Sequence, residues 1–132
     1  MVVMDTHTLI WFVSNPEELS EKVRKVIDKE IKKNSEILVS SISVWEIYML
    51  IKKGRLKLTM EVDNWLDRIE KLPFLRFIPV DNRIAARSVM LPSLSHEDPA
   101  DRIIIATSLQ YAAPLLTRDK RILNYPKVQA VW

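Results

Sequence analysis

The chain has 132 residues, of which 48% are hydrophobic, and it carries a formal net charge of +3 with one glycine and no cysteine. This length predicts one globular domain over residues 1–132, and the missing thiols exclude a disulfide framework and favour a reducing cytoplasm. A single glycine excludes glycine-rich phosphate loops, and the apolar runs are far shorter than the roughly 20 residues of a membrane span, which excludes a membrane partner.

Short apolar runs alternate along the chain with segments whose apolar residues recur at helical spacing. The predicted elements in chain order are strand 2–4, helix 6–13, helix 20–33, strand 36–40, helix 43–53, helix 62–72, strand 76–80, helix 82–90, helix 99–111, strand 114–117, helix 120–123 and strand 128–131. The alternating segment 56–58 is either a small strand or a linker. This order predicts an α/β fold, a three-layer α/β/α sandwich with a central, mostly parallel sheet of four to five strands.

Four acidic residues lie where these strands end or these helices begin. Asp5 and Asp119 directly follow strands, whereas Glu46 and Asp101 fall in the first turns of predicted helices. Ligands of parallel sheets bind at the carboxyl ends of the strands, so we expect the four to converge on one edge. Clustered carboxylates repel one another unless a cation compensates them, and hard oxygen ligands suit Mg²⁺ or Mn²⁺. The pattern therefore predicts a divalent-metal site, for which phosphodiester hydrolysis is a natural use.

Each of these acids also has a purely structural interpretation, because acidic residues at a helix start favour the helix. Ser43 and Glu46 match a capping box, and Asp98 before Pro99 matches an N-cap that leaves Asp101 at the third helical position. The other two acids could cap the helices that follow them. Capping alone does not require four acids on one sheet edge, so the joint pattern favours the metal site.

Four segments together resemble the PIN-domain nucleases, and within them the VapC-like toxins of bacterial and archaeal toxin–antitoxin pairs. They occur in the family order and spacing, and the resemblance covers the whole chain. The segments are MDTHTLIW at 4–11, VSSISVWEI at 39–47, HEDPADR at 96–102 and LTRD at 116–119.

The resemblance implies a PIN-like fold and an endoribonuclease that depends on Mg²⁺ or Mn²⁺ and hydrolyses RNA with metal-activated water. By motif position, the residues implied to be both catalytic and metal-binding are Asp5, Glu46, Asp101 and Asp119, the last at the most variable position. The residues implied to support them are Thr6, Thr117 and Asp98.

Basic and imidazole side chains near the acids offer further candidates. Arg102 and Arg118 flank two of the acids and could bind phosphate, or could pair with the carboxylates when metal is absent. His7 and His96 are interpreted as structural or solvated side chains in preference to general acids.

The resemblance also implies an RNA substrate, a homodimer and a small cognate antitoxin that inserts a segment into the acidic groove. The helices predicted at 20–33 and 43–53 are the candidate walls that bind this antitoxin. Two alternatives stay open, a PIN nuclease that processes RNA outside a toxin pair and a non-catalytic module that binds metal or RNA. A phosphotransferase of the haloacid-dehalogenase type is disfavoured, because its Asp-x-Asp-x-Thr motif would place other residues at His7 and Leu9.

Overall fold

A five-stranded parallel sheet forms the centre of the computed structural model, which describes residues 1–132. The strands are β1 (Val2–Met4), β2 (Ile37–Ser40), β3 (Leu75–Ile78), β4 (Leu115–Leu116) and β5 (Ala130–Val131). The helices are α1 (Thr6–Ser14), α2 (Glu21–Lys32), α3 (Ser41–Lys52), α4 (Val62–Glu70), α5 (Asn82–Val89), α6 (Pro99–Gln110) and α7 (Lys120–Leu123), with a 3₁₀ turn at Pro16–Glu18.

The strand order is β3-β2-β1-β4-β5, and every neighbouring pair is parallel. β1 is central, pairing through Val3 with Leu38 on one side and with Leu115 on the other. The predicted three-layer architecture and parallel sheet are confirmed, with five strands. Since all strands point the same way, their carboxyl ends share one edge, where ligands of such sheets bind.

Successive residues of the strands pack into two separate cores, because side chains alternate between the two faces of a sheet. Val2 and Met4 belong to a core that includes residues of α1 to α4, whereas Val3, between them, belongs to a core that includes residues of α5 to α7. The first part of the chain therefore covers one face of the sheet and the second part covers the other. No helix is both long enough and apolar enough to cross a membrane.

Local sequence signals set most helix ends. The side chains of Asp5, Ser20, Asp81 and other N-cap residues accept hydrogen bonds from the first turns of their helices. α3 ends before Gly54, whose φ of +70° is the left-handed conformation that glycine adopts without strain. Between α3 and α4, residues 56–58 form no strand, so the linker alternative is the one observed.

Candidate active site

One cleft at the carboxyl edge of the sheet brings the sequence-predicted acids together. Its volume is about 540 Å³. It is lined by Asp5, Thr6, His7, Trp11, Glu46, Asp98, Asp101, Arg118, Asp119 and Arg121. All four predicted metal-binding acids are in this set, and they come from the ends of β1 and β4 and from α3 and α6.

Asp5 lies at the end of the central strand and is 8% exposed. Its Oδ1 accepts a hydrogen bond from the Thr8 amide at 2.9 Å, so it caps α1 as the structural interpretation predicted. Thr8 Oγ1 in turn donates to the Leu116 carbonyl of the neighbouring strand at 2.9 Å. Capping thus fixes Asp5 in the cleft, so a role as a helix cap is compatible with a role as a metal ligand.

Glu46 reaches the cleft from the second turn of α3, and its predicted capping-box role is wrong. The N-cap of α3 is Ser40, whose Oγ accepts from the Ile42 amide at 3.2 Å. The reason is that β2 passes directly into α3 with no loop, so the helix begins earlier than predicted. Glu46 instead accepts a hydrogen bond from Thr6 Oγ1, which also lies 2.9 Å from Ser43 Oγ. Thr6 thus orients the Glu46 carboxylate, and Ser43 contacts the Thr6 hydroxyl in turn.

Asp101 is held by Asp98 and by a histidine to which the sequence assigned no functional role. Asp98 Oδ1 accepts from the Asp101 amide at 3.0 Å, which confirms the predicted N-cap of α6. His96, only 5% exposed, places Nε2 2.6 Å from Asp101 Oδ2 and 3.9 Å from Asp119 Oδ2. The signal for this contact is in the motif itself, since a histidine five residues before Asp101 can fold back over the first turn of α6.

Asp119 lies on the side of the cleft that carries Arg121. Its amide donates to Thr117 Oγ1 at 3.1 Å, and its Oδ1 accepts from the Arg121 amide at 2.8 Å, which makes Asp119 the cap of α7. The Arg121 guanidinium also pairs with Asp119 Oδ2 at 3.2 Å. The sequence analysis missed Arg121, although its position two residues after Asp119 was a visible signal. Thr117, fully buried, acts through this backbone bond.

The pKa values separate the acids into two groups. Burial raises the pKa of Glu46, and the charges of Asp101 and Asp98 add to this effect, which the Thr6 hydrogen bond only partly offsets. Burial likewise raises the pKa of Asp101 against the effect of His96. For Asp119 burial acts in the same direction, but the hydrogen bonds and charge of Arg121 outweigh it and hold the pKa below its usual value. The first two carboxylates therefore lack a compensating cation, whereas Asp119 has one.

The two predicted phosphate-binding arginines have different positions. Arg118 lines the cleft with its Cζ 5.7 Å from the Trp11 ring centroid, and its closest ion-pair partner is Glu18 at 3.7 Å. Arg102 does not line the cleft. Its guanidinium donates to four backbone carbonyls, those of Ser88 at 2.7 Å, His96 at 2.9 Å, Val89 at 3.0 Å and Leu94 at 3.2 Å.

Those four bonds give Arg102 a structural position in place of the predicted phosphate contact. They tie the end of α5 and the following loop to α6, and this loop carries His96. Arg102 also borders a second surface cavity of about 560 Å³ beside the loop, but its donors are already used there. That cavity has one acidic side chain, Glu97, and offers no set of metal ligands.

The donor set of the cleft fits a hard divalent cation. Ligand atoms of His96, Asp101 and Asp119 lie within 4.8 Å of one another, and Asp5 and Glu46 line the same space. Carboxylate oxygens with at most one imidazole are suited to Mg²⁺ or Mn²⁺. Neither Asp5 nor Glu46 pairs with a lysine or arginine, which leaves their charge to be balanced by a bound cation.

Fold and acidic cleft together define a class of protein, and comparison with known proteins gives the same class. The PIN domain family model matches residues 2–128, so the chain belongs to the PIN-domain family. It is 31% identical to Ribonuclease VapC22 of Mycobacterium tuberculosis over 133 residues, which cover 99% of this chain and 98% of that protein.

Solved structures with the same fold include toxin–antitoxin proteins. VapBC2 from Rickettsia felis, bound to a DNA fragment from its promoter, aligns with a TM-score of 0.73 and 19% identity over 100% of this chain and 99% of the other. FitAcB from Neisseria gonorrhoeae aligns with a TM-score of 0.70 and 23% identity over 100% and 97%. At these identities the likeness establishes the fold.

Proposed function

We propose that this protein is a metal-dependent endoribonuclease that hydrolyses RNA phosphodiester bonds, and that it is the toxin of a VapBC-type pair. The observation that carries the proposal is the convergence of Asp5, Glu46 and Asp101 in one cleft without a lysine or arginine partner. Family membership and the likeness to a VapC ribonuclease support the reaction and the substrate class.

The protein groups divide the work between binding and orientation. Asp5, Asp101 and Glu46 would hold Mg²⁺ or Mn²⁺, which when bound supplies an activated water and offsets charge that develops on the scissile phosphate. Glu46 is held by the Thr6 hydroxyl, which also contacts Ser43, and Asp101 is held by His96 and Asp98. Asp119 would orient water, with Arg121 beside it. Attack by water needs no 2′-hydroxyl and leaves a 5′-phosphate.

A toxin needs a partner that controls it, and we propose a small cognate antitoxin. A groove of about 390 Å³ is lined by residues of α3 and α4 together with Phe77, and it includes Val44, Leu66 and the 56% exposed Trp45. An apolar groove of this kind suits the apolar face of a partner helix. A solved toxin–antitoxin complex among the structural relatives supports this partner. We also propose a homodimer and a cytoplasmic location, as the family resemblance implies.

Cleavage of a structured RNA pool by the purified protein tests the proposal. We expect cutting with Mg²⁺ or Mn²⁺, none with EDTA, and none by Asp5→Asn or Asp101→Asn. The matched control is Asp67→Asn, an exposed carboxylate on α4 outside the cleft, which should cut like the wild type.

Calorimetric titration with Mn²⁺ on the same variants separates binding from chemistry. We expect binding by the wild type and by Asp67→Asn, and weakened binding by the two cleft variants. A well-folded wild-type protein that binds no divalent metal would contradict the proposal, and cleavage that persists in EDTA would contradict it equally.

A further inference from the structure

Trp11 is an unusual member of the cleft. It is the one hydrophobic side chain among the ten that line it. Trp11 belongs to α1, whose first residue, Thr6, follows the metal-site candidate Asp5. An indole ring beside five carboxylates and two arginines has no role in binding a metal ion, and it is only half-buried, so filling the core does not account for its whole surface.

The ring of Trp11 is held in a fixed orientation. It packs against the core on the α1–α4 side, and its centroid lies 5.6 Å from that of Trp132 with an interplanar angle of 61°. On the cleft side the exposed His7 ring is 5.6 Å away, and Arg118 Cζ lies 5.7 Å from the Trp11 centroid. We call these three cleft residues, His7, Trp11 and Arg118, the aromatic wall.

Arg118 is the cleft arginine whose charge is least engaged. Its side chain is 59% exposed, and its ion pair with the equally exposed Glu18 is long, at 3.7 Å. Exposed pairs of this kind contribute little and exchange readily for a better partner. Arg121, by contrast, pairs with Asp119 through its guanidinium and its amide. Arg118 therefore has no close carboxylate partner, and its guanidinium lies over the Trp11 ring, from where it can turn to bind a phosphate.

We propose that the aromatic wall is a subsite for one unpaired nucleotide of the RNA, next to the bond that is cut. The base would take the place of Arg118 over the Trp11 ring beside His7, and Arg118 would turn to bind a neighbouring phosphate. The acidic side, with its metal ion, would bind the scissile phosphate. Aromatic side chains beside a cationic group are the usual means of holding single-stranded nucleic acid, because every base offers a stacking face. This inference rests on the proposed function and adds which residues hold a base beside the bond that is cut.

A base within a duplex cannot use this subsite, because its neighbours already cover both faces. Trp11 is the one indole in a cleft whose other lining residues are polar or charged, so the aromatic wall suits a nucleotide better than an apolar peptide. Trp11 is therefore the residue through which the cleft would distinguish an unpaired base from a paired one.

RNA binding in the Asp101→Asn background, with Mg²⁺ present, tests the subsite independently of cleavage. The probe is a fluorescent oligoadenylate of about ten nucleotides, and its match is a ribose-phosphate chain of equal length without bases. We expect Trp11→Leu to weaken oligoadenylate binding by about tenfold or more and Trp11→Phe to weaken it much less. The matched control is Tyr111→Leu, which removes a half-buried aromatic ring outside the cleft and should change nothing.

The base-free chain identifies what Trp11 contacts. If the proposal is right, that chain binds weakly and Trp11→Leu does not weaken it further, whereas Arg118→Gln weakens both probes. Equal loss on both probes, unchanged oligoadenylate binding in Trp11→Leu, or equally tight binding of a duplex would overturn the subsite. Because this assay measures binding, it is independent of the result of the metal-dependent cleavage test.

Discussion

On the two sides of the cleft, the pKa values of carboxyl groups are shifted in opposite directions. On the acidic side, Glu46 and Asp101 have raised pKa values because burial and mutual repulsion are not balanced by a cation. On the arginine side, Asp119 has a lowered pKa because the Arg121 guanidinium and amide more than offset its burial. His96 lies between the two sides, much nearer to Asp101 than to Asp119.

This difference separates two tasks. Carboxylates that lack a protein cation are ready to take a metal ion, since its charge relieves their repulsion. A carboxylate already paired with arginine gains less from a metal, and the arginine side chains around it suit the phosphates of the substrate. We therefore expect the acidic side to bind the metal and the arginine side to bind the RNA.

The largest difference in cleavage rate should appear between the variants Glu46→Gln and Asp119→Asn. We expect Glu46→Gln to lower the cleavage rate on the order of a thousandfold, because it removes a carboxylate from the metal side. Asp119→Asn should cost only about tenfold, as for a group that acts around the metal. Initial rates at saturating Mg²⁺ measure both, and equal losses would show that the two sides do not differ in function.

Arg102→Met should give the largest loss of stability. Four carbonyls lose a charged donor, and we expect the free energy of unfolding to fall by about 3 kcal/mol. Denaturant unfolding measures the change, and Arg87→Met, an exposed arginine of the adjoining helix α5, is the control. A loss no larger than that of the control would mean that Arg102 does not hold the loop that carries His96.

His96 should show a smaller effect that depends on its donor atom. His96→Leu removes the hydrogen bond to Asp101, and we expect about 10- to 100-fold weaker Mn²⁺ binding and cleavage. His96→Gln, whose amide nitrogen can approach the position of Nε2, should recover part of both. Mn²⁺ titration and cleavage rates compare the two variants with the wild type. An unchanged Mn²⁺ affinity in His96→Leu would contradict the role of His96 in positioning Asp101.

The smallest effect should appear in the pH dependence of stability without metal. A carboxyl with a raised pKa in the folded state binds its proton more tightly there than in the unfolded chain. Stability is therefore lost as the pH rises from the ordinary value, 4.5 for Glu46 and 3.8 for Asp101, to the raised one, and the loss is complete above it. Glu46→Gln and Asp101→Asn should therefore melt higher than the wild type at neutral pH in EDTA.

The same variants should approach the wild-type melting temperature as the pH falls below the ordinary carboxyl values. Glu97→Gln, in the exposed loop before α6, is the control and should show no such convergence. A cleft variant that melts below the wild type at neutral pH would mean that these carboxylates stabilise the metal-free fold. The acidic side would then need no bound cation to balance its charge.

Local signals explain why so much of this fold could be predicted. The caps at Asp5, Asp98 and Asp119 each join atoms two or three residues apart, and the apolar periodicity of a helix is complete within a few turns. The parallel sheet followed from strand–helix alternation, and its shared carboxyl edge followed from the sheet. The grouping of the four acids was therefore available from the sequence.

Contacts between distant residues were not available in this way. The direct passage of β2 into α3 moved Glu46 to the second turn, where Thr6, 40 residues away, holds it. The position of Arg102 next to Asp101 suggested that it could bind phosphate. The end of α5 and the loop that follows it instead place four backbone carbonyls around the Arg102 guanidinium. Only the packed chain decides which partner a long polar side chain meets first.

The sequence by itself determined the α/β sandwich, the caps at Asp5, Asp98 and Asp119 and the four acids at one edge, because each depends on short-range hydrogen bonding or periodicity. Tertiary structure decided which acids lack a cation and which one is paired, and it placed His96 against Asp101 and Trp11 in the cleft. Burial and charge balance depend on every element that surrounds a side chain, and that environment exists only after the layers have packed.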